Sequence, residues 1–335
     1  MLHPRVKGTH YEMGHHYGSL LRRNGIVIPE QVKERVDFGQ RSEDEVSRIF
    51  PEVLDEIRGL AEGCQIPYEQ VASFILGIGA FPAEPFACSI FAASTNVDVI
   101  FGRNHDFYYR FKNCTEAYLT CPDDAYSSIG HSDVFVGRAD GVNNQGLAVG
   151  ITAVEELAVR PGMNFALAVR YVLERCANTK EGVKALSNMR HSAASSFLLA
   201  DSSGDLTVVE AAPEWVRTRR PEKEENFLLC TNHFLHPEML EVENQKERCW
   251  DSEVRYRSIY ESLKSKNGEI TLDDAQKILS SHEGYVCFHD KEKGIGTLWS
   301  VVAGLKQPRV LRAEGHPCRT GYREDPRLIR VMQSS

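Results

Sequence analysis

One of the nine cysteines, Cys88, stands where the character of the chain changes and where a thiol could attack the peptide bond before it. It ends the proline-broken segment 81–88 (FPAEPFAC) and begins a strand-like run. If the thiol attacks the carbonyl carbon of Ala87, the peptide bond becomes a thioester, and hydrolysis leaves Cys88 as a new N-terminus. The freed α-amine, with an ordinary pKa of about 7.7–8.0, is partly neutral at pH 7 and suited to general-base work. Cys88 would then carry both a nucleophile and its base.

A competing interpretation makes Cys88 one more small buried side chain, the usual fate of a free cysteine. The odd number of cysteines, the lack of any Cys-x-x-Cys pair and the lack of an apolar signal peptide argue against a disulfide framework or a ribbon-type zinc site. Composition alone favours the buried thiol, so the choice between the two interpretations depends on the neighbouring residues.

The first such neighbours lie in Gly102–Asp106 (GRNHD), after a predicted hairpin. An antiparallel second strand would bring its far end back beside Cys88. Arg103 could then lower the thiol pKa, and Asp106 could hold the ammonium or orient the amine. The alternative for this pair is a turn with a surface salt bridge.

Two further polar residues follow in the second half of the chain. Asn232 ends an apolar strand and is a candidate oxyanion donor, because a side-chain amide can stabilise a tetrahedral intermediate. A local turn is the alternative for a single asparagine. Arg255 lies in the first turns of a predicted helix, where Arg257 is equally available by sequence and a solvated face is the alternative.

A metal site is the last chemical alternative. His282, Cys287 and His289 are close in sequence (HEGYVCFHD), but their spacing matches no standard zinc pattern. We therefore expect no metal and no other cofactor, with a metal-dependent hydrolase as an alternative hypothesis.

The elements predicted to position these residues are hairpins kept apart from helical pairs. Residues 1–80 read mainly as helix, including one from Gly8 to Arg23 and one begun by Pro51 and ended near Gly63. This arrangement predicts an α+β fold in which helices cover antiparallel sheets. The predicted hairpins are 89–94 with 97–101, 135–142 with 147–152, and 196–200 with 206–210; further strands are 227–231, 297–302 and 308–311, and further helices 163–190 (two, broken near 178), 250–265 and 272–281.

Composition and charge exclude several classes. The net charge is −8 and the basic residues are scattered, so nucleic acid is not an expected partner. No apolar run reaches the length of a membrane span, which is roughly 18 residues. No dinucleotide-binding glycine motif, phosphate-binding loop or Gly-x-Ser-x-Gly elbow occurs. We expect a cytoplasmic protein without a membrane partner.

Taken in order, these motifs resemble the N-terminal-nucleophile amide hydrolases. The similar branch contains acyl-coenzyme A:isopenicillin N (6-aminopenicillanic acid) acyltransferase, with choloylglycine hydrolases and penicillin V acylases more distant. The matching stretches are Gly8–Gly18, Glu56–Cys64, Cys88 with Gly102–Asp106, Asp140–Leu147, Thr231–His233, Ser252–Arg255, Thr297–Ser300 and Gly315–Pro317.

The resemblance implies a four-layer αββα sandwich and a precursor that cuts itself just before its nucleophilic cysteine. The bond would be Ala87–Cys88. Cleavage would divide the chain into a helical α chain, 1–87, released or retained as a partner, and a hydrolase β chain, 88–335.

The resemblance also implies residue roles. Cys88 would be the nucleophile, with Arg103 and Asp106 supporting it. Asn232 would supply an oxyanion contact, and Arg255 would be a second active-site arginine. Thr152 aligns, across a gap, near an oxyanion or substrate residue of the relatives.

Two features separate this chain from its relatives. Ala87 stands where the acyltransferase has glycine, although alanine is still small enough for a strained cleavage turn. The long segment before Cys88 favours the acyltransferase-like branch over the choloylglycine hydrolases.

The predicted function is therefore a self-processing N-terminal cysteine amidohydrolase that cleaves a small N-acyl amide through a thioester. One alternative is an acyltransferase that moves an acyl group, for example from acyl-coenzyme A, to an amine. A second is a protein that binds an acyl ligand without turnover. Homo-oligomerisation is compatible with each of them.

Overall fold

Two β-sheets stacked face to face position the residues singled out above. The computed structural model describes residues 1–81, 87–155, 157–247 and 251–334. The strands are β1 (Arg5–Gly8), β2 (Ala87–Ser94), β3 (Val99–Tyr108), β4 (Glu116–Pro122), β5 (Ser128–Ser132), β6 (Asp140–Asn143), β7 (Leu147–Ala153), β8 (Ser195–Asp201), β9 (Leu206–Ala211), β10 (Val216–Arg219), β11 (Phe227–Cys230), β12 (His289–Asp290), β13 (Ile295–Gly304), β14 (Arg309–Ala313) and β15 (Arg323–Asp325). The α-helices are α1 (His10–Arg23), α2 (Lys33–Ile49), α3 (Pro51–Cys64), α4 (Tyr68–Leu76), α5 (Phe165–Arg175), α6 (Thr179–Ser187), α7 (Ser252–Lys264), α8 (Leu272–Ser280) and α9 (Arg327–Ser334).

The first sheet has the strand order β1-β4-β5-β6-β7-β8-β9-β10, and the second has β11-β2-β3-β13-β14-β15 with β12 beside β13. All ladders between these strands are antiparallel except β1 with β4. Helices α5 and α6 pack on the first sheet, α7 and α8 pack on the second, and β2 contacts β7 and β8 between the sheets. The α+β class and the four-layer αββα sandwich are confirmed.

The sheets approach closely where the site lies. A Cβ atom at Gly150 of β7 would lie 3.0 Å from the Phe101 ring and 3.1 Å from both Arg103 Cδ and Ile90 Cδ1. Glycine at this position lets the side chains of β2 and β3 fill the space between the sheets.

Helices α1 and α3 are in backbone contact through two glycines on each helix. A Cβ atom at Gly14 would lie 1.9 Å from the carbonyl oxygen of Glu56, and one at Gly59 would lie 2.1 Å from that of Tyr11. Gly18 and Gly63 show the same tight approach. These glycines lie in two of the stretches that carry the family resemblance, so part of that resemblance reflects helix packing.

Most predicted elements are present, and the structure corrects some of their boundaries. Thr9 and Glu12 form a capping box, so α1 begins at His10, and the four residues before Thr9 form β1. The strand predicted from Phe135 begins only at Asp140, because Phe135 has a φ of 52° and Arg138 Nη1 donates back to the carbonyls of residues 135–137.

Two further findings concern the predicted linker and the prediction of no membrane span. The predicted linker 81–88 falls mostly on residues 82–86, outside the described residues. No helix within the described ranges combines the length and apolar character needed to cross a bilayer.

Candidate active site

The β2–β3 hairpin aligns Cys88 with the GRNHD motif. In its register Cys88 lies opposite His105, Ala87 opposite Asp106, and Ile90 opposite Arg103. The turn is stabilised by Thr95, whose hydroxyl donates to the carbonyl of Asp98 and accepts from the amide of Asp98. The motif therefore meets Cys88 because a short local hairpin fixes the register.

The Cys88 side chain is fully buried. Arg103 Nη2 donates to Sγ at 3.0 Å, and His105 Nδ1 lies 3.6 Å from the same sulfur. Burial raises the pKa of the Cys88 thiol to about 12, although Arg103 acts in the opposite direction. In the uncleaved chain the thiol is therefore protonated at neutral pH, and attack requires a proton acceptor.

Arg103 is anchored by a buried carboxylate that the sequence reasoning did not single out. Its Nη1 donates to Asp140 Oδ2 at 2.7 Å, and its Nη2 also donates to the carbonyl of Ile151 at 3.1 Å. Asp140 further accepts from Trp299 Nε1 at 3.0 Å and bonds His131 Nδ1 at 2.6 Å. Burial alone would raise the pKa of Asp140, but His131, Arg103 and Trp299 outweigh burial and lower it to about 2.

Asp106 faces the residue before the proposed scissile bond. Thr297 Oγ1 donates to Asp106 Oδ1 at 2.5 Å, whereas the buried Oδ2 has no hydrogen-bond partner within the described residues. Burial raises the pKa of Asp106 to about 6, while Arg255, the Thr297 hydroxyl and Arg103 oppose that rise. One carboxylate oxygen at this position can still accept a hydrogen bond.

Asn232 and Arg255 hold the backbone on either side of the Cys88 side chain. The amide nitrogen of Cys88 donates to Asn232 Oδ1 at 2.9 Å. Arg255 Nη2 donates to the same Oδ1 at 2.9 Å, and Arg255 Nη1 donates to the Cys88 carbonyl at 2.6 Å. The sequence could not choose between Arg255 and Arg257; in the structure Arg255 is buried and Arg257 is exposed.

Two of the predicted oxyanion groups are engaged by backbone carbonyls. Asn232 Nδ2 donates to the carbonyl of Ala153 at 2.8 Å, and Thr152 Oγ1 donates to that of Thr231 at 2.7 Å. Both contacts join the end of β7 to the segment after β11. The oxyanion roles of these two side chains stay predictions.

His105 is the neighbour of Cys88 that sequence reasoning missed. Its ring stacks on Trp299, with centroids 3.9 Å apart, and its Nε2 lies 3.4 Å from Asp133 Oδ2. Burial lowers the pKa of His105, and Arg103 adds to this although Asp133 opposes it. The predicted two-residue turn at 95–96 would place Arg103 opposite Cys88, whereas the observed turn is two residues longer and places His105 there.

The predicted metal candidates lie in a separate cluster. His282 and His289 are adjacent, and the third donor near them is Cys318 rather than Cys287.

Similarity to solved structures defines the class of fold. The chain is similar to the Caenorhabditis elegans ortholog of N-acylethanolamine-hydrolyzing acid amidase, with TM-score 0.50 and 19% identity over 65% of this chain and 93% of that chain. It is also similar to a variant of conjugated bile acid hydrolase from Clostridium perfringens, with TM-score 0.50 and 13% identity over 71% and 96%. Penicillin V acylase from Agrobacterium tumefaciens gives TM-score 0.47 and 17% identity over 68% and 82%. The fold is that of the N-terminal-nucleophile hydrolases.

The family model for acyl-coenzyme A:6-aminopenicillanic acid acyltransferase matches residues 93–318, and the chain belongs to that family. The match covers about two thirds of the chain and begins after Cys88. No curated protein sequence matches the chain significantly. In general terms, the family membership makes this protein an amidohydrolase or an acyltransferase.

Proposed function

We propose that this protein is a self-processing N-terminal cysteine amidohydrolase that cleaves a linear N-acyl amide through a thioester on Cys88. The observation that carries the proposal is the set of contacts around this one residue. Arg103 donates to its sulfur, Asn232 accepts from its backbone nitrogen, and Asp106 lies one register position away. A buried cysteine without a chemical role would need none of these charged and polar groups.

Self-processing begins with attack of Cys88 Sγ on the carbonyl carbon of Ala87. The S–C bond forms, the C–N bond to Cys88 breaks, and the nitrogen takes up a proton to become an amine. Water then hydrolyses the thioester and leaves a carboxylate on Ala87. Arg255, which donates to the Cys88 carbonyl, fixes the new terminus during this change.

The first step needs a base other than the α-amine, because that nitrogen is still an amide in the precursor. His105 Nδ1, 3.6 Å from Cys88 Sγ, is the neighbouring group with the right chemistry. Asp133 near Nε2 favours the tautomer whose Nδ1 is unprotonated, and Arg103 Nη2, 3.2 Å from Nδ1, fits the same tautomer. The thiol proton passes to His105 and from there to the leaving nitrogen.

In the processed enzyme the freed amine of Cys88 takes over as the base. Asn232 Oδ1 already accepts from this nitrogen, and Asp106 Oδ2 can accept a second hydrogen bond. The thiolate attacks the substrate carbonyl beside Arg103, and the departing amine leaves with the thiol proton. Water completes the cycle by hydrolysing the acyl-enzyme. Asn232 and backbone N–H groups remain the expected oxyanion donors.

Acyl transfer is the second candidate, and the family membership is the observation that favours it. The two reactions share the acyl-enzyme and differ in whether water or an amine accepts the acyl group. Hydrolysis stands first because it needs no second binding site, and one structural relative is named for hydrolysing N-acylethanolamines.

We propose that segment 1–87 stays bound as an α chain after cleavage. Strand β1 pairs with β4, so this segment supplies the edge of the first sheet. Arg170 of α5 donates to Glu56 of α3 at 2.6 Å, and His10 of α1 bonds Glu174 of α5 at 2.9 Å. Release of the segment would break both of these buried contacts and separate Glu56 from its cation, at considerable cost.

Trapping of the acyl-enzyme tests this function. The purified wild-type protein is incubated with a panel of N-acyl amides of different chain lengths, quenched in acid and measured by intact mass. We expect one acyl group added to the 88–335 chain and located on Cys88, with none in Cys88→Ala. An added amine acceptor separates the two reactions, because a transferase yields a new amide and a hydrolase yields the free acid. Turnover without an adduct in the wild type and undiminished in Cys88→Ala would refute the cysteine mechanism.

A further inference from the structure

Three side chains of types that can ligate a metal lie close together beyond β13, on the side away from Cys88. They are His282 before a short 3₁₀ turn, His289 in β12, and Cys318 in the turn after β14. One donor atom from each lies within 4.8 Å of those of the other two. The proposed hydrolase mechanism uses none of them.

The distance between the two imidazoles fits a shared metal ion. His282 Nε2 and His289 Nε2 lie 3.2 Å apart. Two nitrogens bound to one tetrahedral zinc ion at its usual bond length lie about 3.3 Å apart. With the thiol of Cys318, the set is two nitrogens and one sulfur, which suits zinc better than calcium or magnesium.

We propose that His282, His289 and Cys318 bind a zinc ion. Binding removes the proton from the Cys318 thiol and uses the neutral form of both imidazoles, so one proton is released per ion. Three protein ligands leave a fourth tetrahedral position for water or a further side chain. Two such side chains lie close by: Cys287, which neighbours Cys318, and His316, whose ring centroid is 5.0 Å from that of His289.

This inference reverses the sequence-based expectation of no metal. The local run HEGYVCFHD supplied two of the ligands in a spacing that fits no standard zinc pattern. The third ligand comes from a stretch far along the chain, beyond β13 and β14, and the tertiary fold brings it close. Cys287, the nearby thiol in the same run, is not among the three mutually close donors.

The zinc site would cross-link two segments next to the residues that contact Cys88. The carbonyl of Phe288, next to ligand His289, accepts from the Thr297 amide at 2.8 Å, and Thr297 Oγ1 donates to Asp106. A zinc ion joining β12 to the turn at Cys318 would limit movement of this segment and hold Thr297 against Asp106. We therefore assign the ion a structural role.

Zinc titration of the full-length chain tests the site. The chain is purified reduced and stripped of metal, given Zn²⁺ and desalted, and its zinc content is measured by mass spectrometry. We expect about one zinc per chain, in the wild type and equally in Cys88→Ala, which removes the other thiol that contacts a histidine. The result in Cys88→Ala is independent of self-processing and of the proposed hydrolase function.

Ligand variants identify the residues that bind. His282→Ala, which changes an exposed side chain, and Cys318→Ser should each weaken zinc binding by at least about 100-fold, beyond the loss typical of outer-shell partners. The matched controls, His16→Ala and Cys114→Ser, change an exposed histidine and an exposed cysteine elsewhere and should bind zinc normally. Cobalt substitution adds a direct readout, since the contribution of the Cys318 thiolate to the cobalt absorption should be lost in Cys318→Ser and kept in Cys114→Ser.

Two results would overturn the proposal. One is that the reduced, folded wild-type chain retains no zinc after desalting. This result counts equally if Cys287 and Cys318 had formed a disulfide that was then reduced. The other is zinc that stays bound in both His282→Ala and Cys318→Ser, which would place the ion elsewhere.

Discussion

At the scale of single residues, Arg103 connects the groups around the nucleophile. It contacts Cys88, His105 and the buried Asp140, so one guanidinium links the thiol, the candidate base and a fixed anion. The anion balances the buried positive charge and leaves Nη2 directed at the sulfur. Arg103 is thus suited to stabilise a thiolate once a base has removed the proton.

Replacing His105 tests which group accepts that proton in the precursor. His105→Gln should slow the appearance of the two chains about 100-fold, which is within the usual contribution of a general base. The measurement is a time course of intact mass after synthesis, with the exposed His16→Gln as control. Burial lowers the pKa of His105, so the wild-type rate should hold until the pH falls below the ordinary histidine value of about 6.5. Unchanged cleavage in His105→Gln would remove this residue from the mechanism.

Thr297 should set the acidic limb of activity through Asp106. The pKa of Asp106 is raised to about 6, so its carboxylate is ionised only above that pH. The Thr297 hydroxyl favours the ionised form, and Thr297→Val removes this hydrogen bond while keeping the shape of the side chain. The pKa of Asp106 should then rise further, moving the acidic limb of kcat/KM upward by about one pH unit. Thr218→Val, on an exposed part of β10, should leave the pH profile unchanged.

At the scale of elements, the sequence predicted well the structures that depend on neighbouring residues. It did not predict the strand pairs that join distant parts of the chain. The capping box at Thr271, the turn after Asn143 and the hairpin at Thr95 each depend on neighbouring residues, and each is present. Strands β1 and β4 were missed, because their parallel pairing joins segments more than a hundred residues apart. The same holds for the site residues. Arg103 and Asp106 were predicted because they lie in the local hairpin, whereas the contact of Trp299 with Asp140 depends on tertiary packing and was not predicted.

The close glycine contact between α1 and α3 predicts that an added side chain there destabilises the fold. An added methyl group at Gly59 would meet the Tyr11 carbonyl at 2.1 Å, and backbone cannot move aside as a flexible side chain can. Gly59→Ala should therefore lower the free energy of unfolding by about 3 kcal/mol, measured by urea denaturation. Gly321→Ala, where no atom of the described residues lies within 4 Å of the added carbon, is the control and should change stability little.

At the scale of the whole molecule, segment 1–87 and the rest of the chain share one buried core. The core cluster runs from Val6 and Met13 through the strands of both sheets to Leu328. A cut before Cys88 would thus leave two chains that need each other to bury their apolar surface. Composition and charge excluded several classes of protein, but they could not indicate this mutual dependence.

Arg170 is the residue whose loss should separate the two chains. Arg170→Met would remove the guanidinium that pairs with both Glu56 and Glu174, leaving Glu174 with His10 alone, at a cost of about 3–5 kcal/mol. The 1–87 chain should then be lost from the β chain on native size-exclusion chromatography. Arg175→Met, which breaks a partly exposed pair with Glu52, should keep both chains together.

The pH dependence of the complex follows from Glu174. Burial opposes its charge, but Arg170 and His10 lower the pKa of Glu174 to about 2. A lowered folded-state pKa stabilises the complex above the ordinary carboxyl value, and this contribution is lost as pH falls through the folded value. The wild-type complex should therefore weaken between about pH 4.5 and pH 2. A complex equally stable across that range would contradict this assignment.

The most direct measurement is intact mass with N-terminal sequencing of freshly expressed protein, comparing wild type with Cys88→Ala under reducing conditions. We predict a wild-type chain that begins Cys-Ser-Ile-Phe together with a chain ending at Ala87, and a single uncut chain in Cys88→Ala. A single uncut chain in both proteins would contradict self-processing at Cys88 and favour the protein that binds an acyl ligand without turnover. Cleavage at the same bond in both would show that the Cys88 thiol is not the attacking group.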